Sequence, residues 1–131
     1  MELLSLAGRF EAATENDREL FEDAFRLCFP KPSRIWVTDA AGSWTQEYTD
    51  WQQRQAHFYG LLEAGASLDA AMSLVPEGWS KLIQDSDFDG AICELWHEQS
   101  DSEANTRAKT WPLALTAASL RARAAMETND G

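Results

Sequence analysis

The segment from Ser67 to Met126 constrains the fold more than any other part of the chain. It opens with SLDAAMSLVPEGW, passes through alternating apolar and polar residues, and closes with WPLALTAASLRARAAM. Ser67 predicts the N-cap of a short helix reaching Leu74, with Asp69 in its positive first turn and Pro76 and Gly78 closing it. Trp79 to Gln84 and Ala91 to Glu98 read as a β-hairpin. In its second strand Ala91, Cys93, Leu95 and His97 point one way, while Ile92, Glu94, Trp96 and Glu98 point the other. Large apolar groups on both faces predict a sheet partly covered on two sides. Ser100 to Ala108 reads as a polar loop. Thr110 then predicts a helix N-cap, and Pro112 is tolerated in the first turn because its missing N–H has no internal partner there. Leu113, Ala117, Leu120 and Ala124 form the inward stripe of that last helix, with Arg121 and Arg123 near its negative end.

The N-terminal half begins with a helix from about Leu3 to Ala13, striped by Leu3, Leu6, Phe10 and Ala13. Thr14 to Asn16 interrupts it, and Asn16 or Asp17 caps a second helix. There Leu20, Ala24 and Leu27, with Phe21, Phe25 and Cys28, give a wide apolar face that Pro30 and Pro32 terminate. Arg34 to Thr38 reads as a strand and Asp39 to Gly42 as a turn. Between Ser43 and Gly65 the pattern predicts a helix or a partly helical excursion. Ser43 and Gln46 suit a capping box, and Tyr48, Trp51, Gln55, Phe58 and Leu62 share helical spacing.

A chain of 131 residues, 44% of them hydrophobic, suffices for one domain with a core of its own. Residues 1–127 read as that domain, with an aromatic-rich insertion near 35–65, and 128–131 as a frayed tail. Neither a membrane-spanning run nor a signal-peptide pattern is present, which predicts a cytosolic protein without membrane partners. Cys28 and Cys93 fit two reduced thiols in such a compartment, a single bridge being the other arrangement. The 22 acidic against 11 basic residues, a formal net charge of −11, argue against duplex nucleic acid as a partner, because counterion displacement requires cations. That charge serves solubility, or it forms an acidic face for a basic protein, including imitation of DNA.

Few residues carry recognisable chemistry. DSDFDG, Asp85 to Gly90, begins like an EF-hand calcium loop, with Asp85, Asp87 and Asp89 at alternate positions and Ile92 at the aliphatic place. The twelfth position is Trp96 where that loop requires a bidentate glutamate, so an acidic, solvated turn is the competing reading. Cys28, Cys93, His57 and His97 match the inventory of a zinc site but not its spacing. Cys93 and His97, four residues apart on a strand, are separated by roughly 13 Å. Neither thiol is marked as activated, no converging acid–base set exists, and no catalytic residue or cofactor is expected.

The six tryptophans are the best functional signal, since Trp36, Trp44, Tyr48, Trp51, Phe58 and Tyr59 crowd into one region. Large aromatics either fill a core or give rigid surface for partners and flat faces for bases. Exposed together, they would mark a partner site or a homo-oligomer.

SLDAAMSLVPEGW, the short hairpin, TWPLALTAASLRARAAM and the early LAGRFEAATENDRELFEDAF (Leu6 to Phe25) together resemble the phage ABA sandwich domain family, small proteins of bacteriophages and prophages. The resemblance implies an α+β fold, a three-layer helix/sheet/helix sandwich with a small antiparallel sheet, and a setting in the cytoplasm of the infected bacterial host. It brings no catalytic residues. The segment from Ile35 to Gly60 is longer and richer in tryptophan than the family's connection, and any specialised function is expected there.

The reading that follows is a non-enzymatic accessory protein that sequesters or blocks a host component. In one version it is a counter-defence protein that captures a small nucleotide-like immune signal. Trp36, Trp44, Tyr48, Trp51 or Tyr59 would stack on the base while Arg34, Arg54 or Lys31 receives phosphate. In the alternative, the acidic and aromatic faces inhibit a host protein. A hydrolase and a virion component are the remaining classes.

Overall fold

A computed structural model of the chain describes residues 2–35, 44–86 and 90–130. Its elements run α1 (Glu2–Ala12), α2 (Arg18–Cys28), α3 (Gln46–Glu63), α4 (Ser67–Met72), β1 (Ser80–Asp85), β2 (Ala91–His97), β3 (Ser102–Ala108) and α5 (Trp111–Asp130). This is an α+β fold with a small antiparallel sheet, in the order β1-β2-β3.

The sheet has one strand more than the hairpin that the sequence suggests. Ser102 to Ala108, read above as polar loop, pairs with β2 along its whole length, Ala108 opposite Ala91 and Ser102 opposite His97. It alternates small residues with strongly polar ones and has no large apolar side chain: Ala104, Thr106 and Ala108 are buried while Glu103, Asn105 and Arg107 are exposed. Small inward side chains let α5 lie close against the strand, and Thr106 Oγ1 donates to the Ala114 carbonyl at 2.6 Å.

α5 is the centre of the molecule. From Leu113 to Leu120 every residue is buried, so this stretch has no solvent face. It contacts all three strands and also α1, α2 and α4. A helix enclosed on every side cannot show a one-sided stripe, which is why Ala114, Leu115, Ala118 and Ser119 join the expected Leu113, Ala117 and Leu120 in the core. The layers are therefore ordered sheet, α5, outer helices. Among the described elements only α5 and α1 make substantial contact with the sheet, so the cover expected on its second face is not found there. That face carries Leu82, Ile92 and Trp96 beside exposed Glu94, Glu103, Asn105 and Arg107.

Local signals hold the remaining elements. Asp17 caps α2 by accepting the Glu19 N–H at 2.9 Å. Asn16 instead accepts from Thr110 Oγ1 at 2.6 Å, tying the α1–α2 connection to the start of α5. Thr110 is the expected cap and accepts the Leu113 N–H at 3.2 Å. Two expected caps move. Thr45 caps α3, accepting the Tyr48 N–H, while Ser43 lies outside the described residues. Ser67 is the first residue of α4 and the preceding Ala66 offers no side-chain bond, so that helix starts uncapped. Arg34 and Ile35 are not in a strand, and the rest of the strand and turn expected from 34 to 42 lies outside the described residues. At the other end the backbone is helical as far as Asp130, through most of the tail expected to fray.

Two side chains on α5 fasten distant parts. Arg121 holds both carboxylate oxygens of Glu11 through Nε and Nη2, clamping α1 to α5. Arg123 donates from Nε and Nη2 to the Leu74 carbonyl at 3.1 and 2.8 Å, just beyond α4. Opposite, Phe10 and Phe21 meet edge to face with centroids 5.2 Å apart, joining α1 to α2.

Gly90 closes the β1–β2 turn with φ +93°, and a methyl group added there would collide with the Ala108 carbonyl oxygen. Gly65 has φ +79° but open space around it. Replacing Gly65 by alanine is therefore expected to cost about 1 kcal/mol, from backbone strain alone. Gly90→Ala is expected to cost about 3 kcal/mol or more, because β3 must also shift. Urea denaturation of the two variants checks the ranking.

Candidate functional site

The aromatic segment builds a row of rings at the start of α3. Trp44 and Tyr48 meet edge to face with centroids 5.4 Å apart, and Tyr48 stacks on Trp51 at 5.9 Å with an interplanar angle of 21°. Tyr48 and Trp51, three residues apart, share one face of α3, and Trp44 joins them from just before the N-cap Thr45. Further along that face, Phe58 is buried and Gln55 and Leu62 are half-buried, as the helical spacing predicts. Trp51 is oriented by its indole N–H, which donates to the Phe29 carbonyl at 2.8 Å. Thr45 fixes the entry to the helix: its backbone N–H donates to the Ile35 carbonyl at 2.8 Å, and its Oγ1 donates to the Arg34 carbonyl at 2.8 Å.

Cations collect beside these rings. Lys31 Nζ stands 5.8 Å from the Tyr48 centroid, and the Arg54 guanidinium lies 4.3 Å from the Phe29 centroid, with that of Arg123 at 5.0 Å. Elsewhere Arg18, Arg26 and Arg121 pair with Glu22, Asp23 and Glu11. Among the described residues Lys31, Arg54 and Arg123 have no carboxylate partner. Glu47 and Asp50 stand on the first turns of the same helix, so the start of α3 is an aromatic surface with charges of both signs beside it.

Of the residues named from the sequence, Trp44, Tyr48 and Trp51 make consecutive ring contacts, and Arg54 lies over Phe29, whose carbonyl holds Trp51. Trp44 is 48% exposed, whereas Tyr48 and Trp51 are half-buried. Arg34 is next to the group through its backbone. Tyr59 faces the core side, against Phe25 at 6.0 Å and Phe58 at 6.2 Å. Trp36 lies outside the described residues. Phe29 and Arg123 are the members that sequence reasoning missed. Phe29 continues the four-residue spacing of Phe21 and Phe25, a signal that could have found it, and Arg123 reaches it from the far end of the chain.

None of the described cavities is lined by the rings of the row. Described cavities of about 400 Å³ open elsewhere, one between α1 and α2 around Leu6, Asp23 and Leu27 and another around Ala13 and Leu20. A third, of about 350 Å³, lies on the open sheet face by Glu94, Trp96 and Asn105.

Of the proposed calcium ligands, Asp85 accepts the Trp111 indole N–H at 2.8 Å, and Asp87 and Asp89 lie outside the described residues. No group of three or more His, Cys, Asp or Glu residues able to hold a metal occurs among the described residues. His97 is placed by Ser100, 2.9 Å from its Nδ1, and by Trp79, with ring centroids 5.6 Å apart. No described helix is long and apolar enough to cross a membrane. No protein-family model matches the chain, and no curated protein or solved structure matches it either.

Both cysteines are free, Cys93 being wholly buried and Cys28 partly so. Burial pushes each thiol from 9.0 up to about 11, an effect the nearby Arg123 only partly offsets at Cys28. Neutral thiols are inert, so Ellman's reagent at pH 8 is expected to label the folded protein far more slowly than the protein in urea. Because the folded values are raised, the associated stability is intact below pH 9 and is lost as pH rises towards 11. Thermal melts across that window, repeated with the Cys93→Ala variant, read out that loss.

Proposed function

We propose that this is a non-enzymatic binding protein that captures a host component on the surface formed by Trp44, Tyr48, Trp51, Lys31 and Arg54. We also propose that it is a phage accessory protein, as the sequence resemblance implies, acting in the cytoplasm of the infected bacterium. The observation that carries the binding assignment is the row of rings itself. It is half open to solvent and bordered by Lys31 and Arg54, which have no carboxylate partner among the described residues. Rigid aromatic groups flanked by arginine are the residues that dominate binding energy at protein interfaces.

A protein partner with a mixed apolar and polar surface suits this arrangement best. Tyr48 and Trp51 already stack on each other and Lys31 approaches Tyr48, so their ring faces are largely committed. What remains outward is a shallow amphipathic ridge, which matches a complementary protein surface better than an engulfed small molecule. One observation supports the nucleotide version: Trp44 is half exposed and touches the same Tyr48 that Lys31 approaches, a ring and a cation within reach of one base and its phosphate.

The reading is tested by coupling the protein to a resin and comparing what it retains from bacterial lysate with what Trp44→Ala, Arg54→Glu and the distant Leu82→Ser retain. A specific host protein is expected on the wild type and on Leu82→Ser, with affinity lowered about ten-fold or more in the ridge variants. Equal retention by all four forms would remove the ridge from the function. Calorimetric titration with a panel of nucleotides forms the second arm, and saturable binding abolished by Trp44→Ala would transfer the assignment to the nucleotide version.

A further inference from the structure

We propose that the free edge of β1 is a self-complementary dimerisation edge, through which two copies join their sheets into one continuous antiparallel sheet. This inference is independent of the α3 ridge. β1 ends the sheet and pairs only with β2, and it runs from Ser80 to Asp85 without proline. Among the described elements, nothing else pairs with it.

The antiparallel ladder determines which backbone groups are left over. In the β1–β2 register Ser86 stands opposite Gly90, and the Ser86 N–H donates to the Gly90 carbonyl at 3.0 Å. Hydrogen-bonding direction alternates along a strand, so Gln84 and Leu82 also turn their N–H and C=O towards β2. Lys81, Ile83 and Asp85 then turn theirs outward, to the open edge. The side chains of these three residues also share one face, the one opposite Leu95, Cys93 and Ala91.

The residues with unused backbone groups are thus a cation, an apolar residue and an anion at alternate positions. Placed antiparallel to its own copy with Ile83 on the twofold axis, the strand sets Lys81 directly opposite Asp85 of the second copy, and Asp85 opposite its Lys81. Ile83 meets Ile83. The free N–H and C=O groups of all three residues find partners in the same register, and both opposite-charge pairs lie on one face. A twofold axis requires such a surface to match itself, and reversal of the order Lys, Ile, Asp satisfies that requirement. Asp85 remains held by the Trp111 indole, which fixes the carboxylate at the end of the strand before the partner arrives.

An inward-facing charge can equally keep an edge strand from pairing, and the experiment separates the two roles of Lys81. Sedimentation equilibrium at physiological salt is expected to show a reversible monomer–dimer equilibrium for the wild type. Lys81→Asp and Asp85→Lys each place like charges opposite one another and should weaken the dimer about ten-fold or more. The double swap, Lys81→Asp with Asp85→Lys, should restore it. Lys81→Pro removes only an outward N–H and should abolish the dimer while circular dichroism and the melting curve keep the monomer's fold. A wild type that stays monomeric to millimolar concentration would overturn the proposal. A double swap no better than either single variant, or increased association on loss of Lys81, would do the same.

Discussion

Everything in this molecule depends on enclosing one helix. From Leu113 to Leu120 α5 touches the sheet on one side and other helices on the rest, and its alanines, Thr116 and Ser119 allow those neighbours to come near. Burying polar side chains at such a place is tolerable when their hydroxyls turn back onto the helix, as Ser119 does to the Leu115 carbonyl at 2.9 Å. Thr116 Oγ1 alone has no partner among the described buried atoms. The small strands and short helices around α5 would bury little by themselves. Around a common axis they form one core, running from Leu3 and Phe10 through Phe25 and Phe58 to Leu95.

The α3 helix joins this core most deeply at its C-terminal half. Phe58 is enclosed and packs at 5.0 Å on Phe25, while Trp51 packs against the core from nearer the start and Tyr48 is half-buried. Polar bonds add to this packing at the entry to the helix: Thr45 to the Arg34 and Ile35 carbonyls, and Trp51 to the Phe29 carbonyl. A ring array mounted on a stiff helix and anchored by hydrogen bonds at its base loses little further freedom when it meets a ligand. Preorganisation of this kind leaves more of the contact energy available as affinity.

Most helices were legible in the residues because capping and amphipathic spacing are local. Asp17, Thr110 and the stripe from Tyr48 to Leu62 act where the sequence suggests. β3 escaped because its inward residues are only Ala and Thr, so Ser102 to Ala108 alternates without the large β-branched or aromatic groups that mark a strand. The layer order escaped for a related reason. Apolar Ile92 and Trp96 on β2 looked like a second buried face, and only the position of α5 decides which face is covered. At the candidate site, the crowding of aromatics was visible in the sequence. The cations around Phe29 were not, since Arg54 and Arg123 meet that ring from helices far apart in the chain.

Among the described elements helices cover only one face of the sheet, which divides its residues into two populations with different freedoms. Along β2, Cys93 and Leu95 answer to the shape of α5, and a change in either must be absorbed by the whole interior. Glu94 alternates with them and is exposed, and Ile92 and Trp96 on the same face are half-buried, outside the interior that α5 shapes. Variation can therefore accumulate at every second codon of a single strand, and new recognition properties can arise there without disturbing the architecture that displays them.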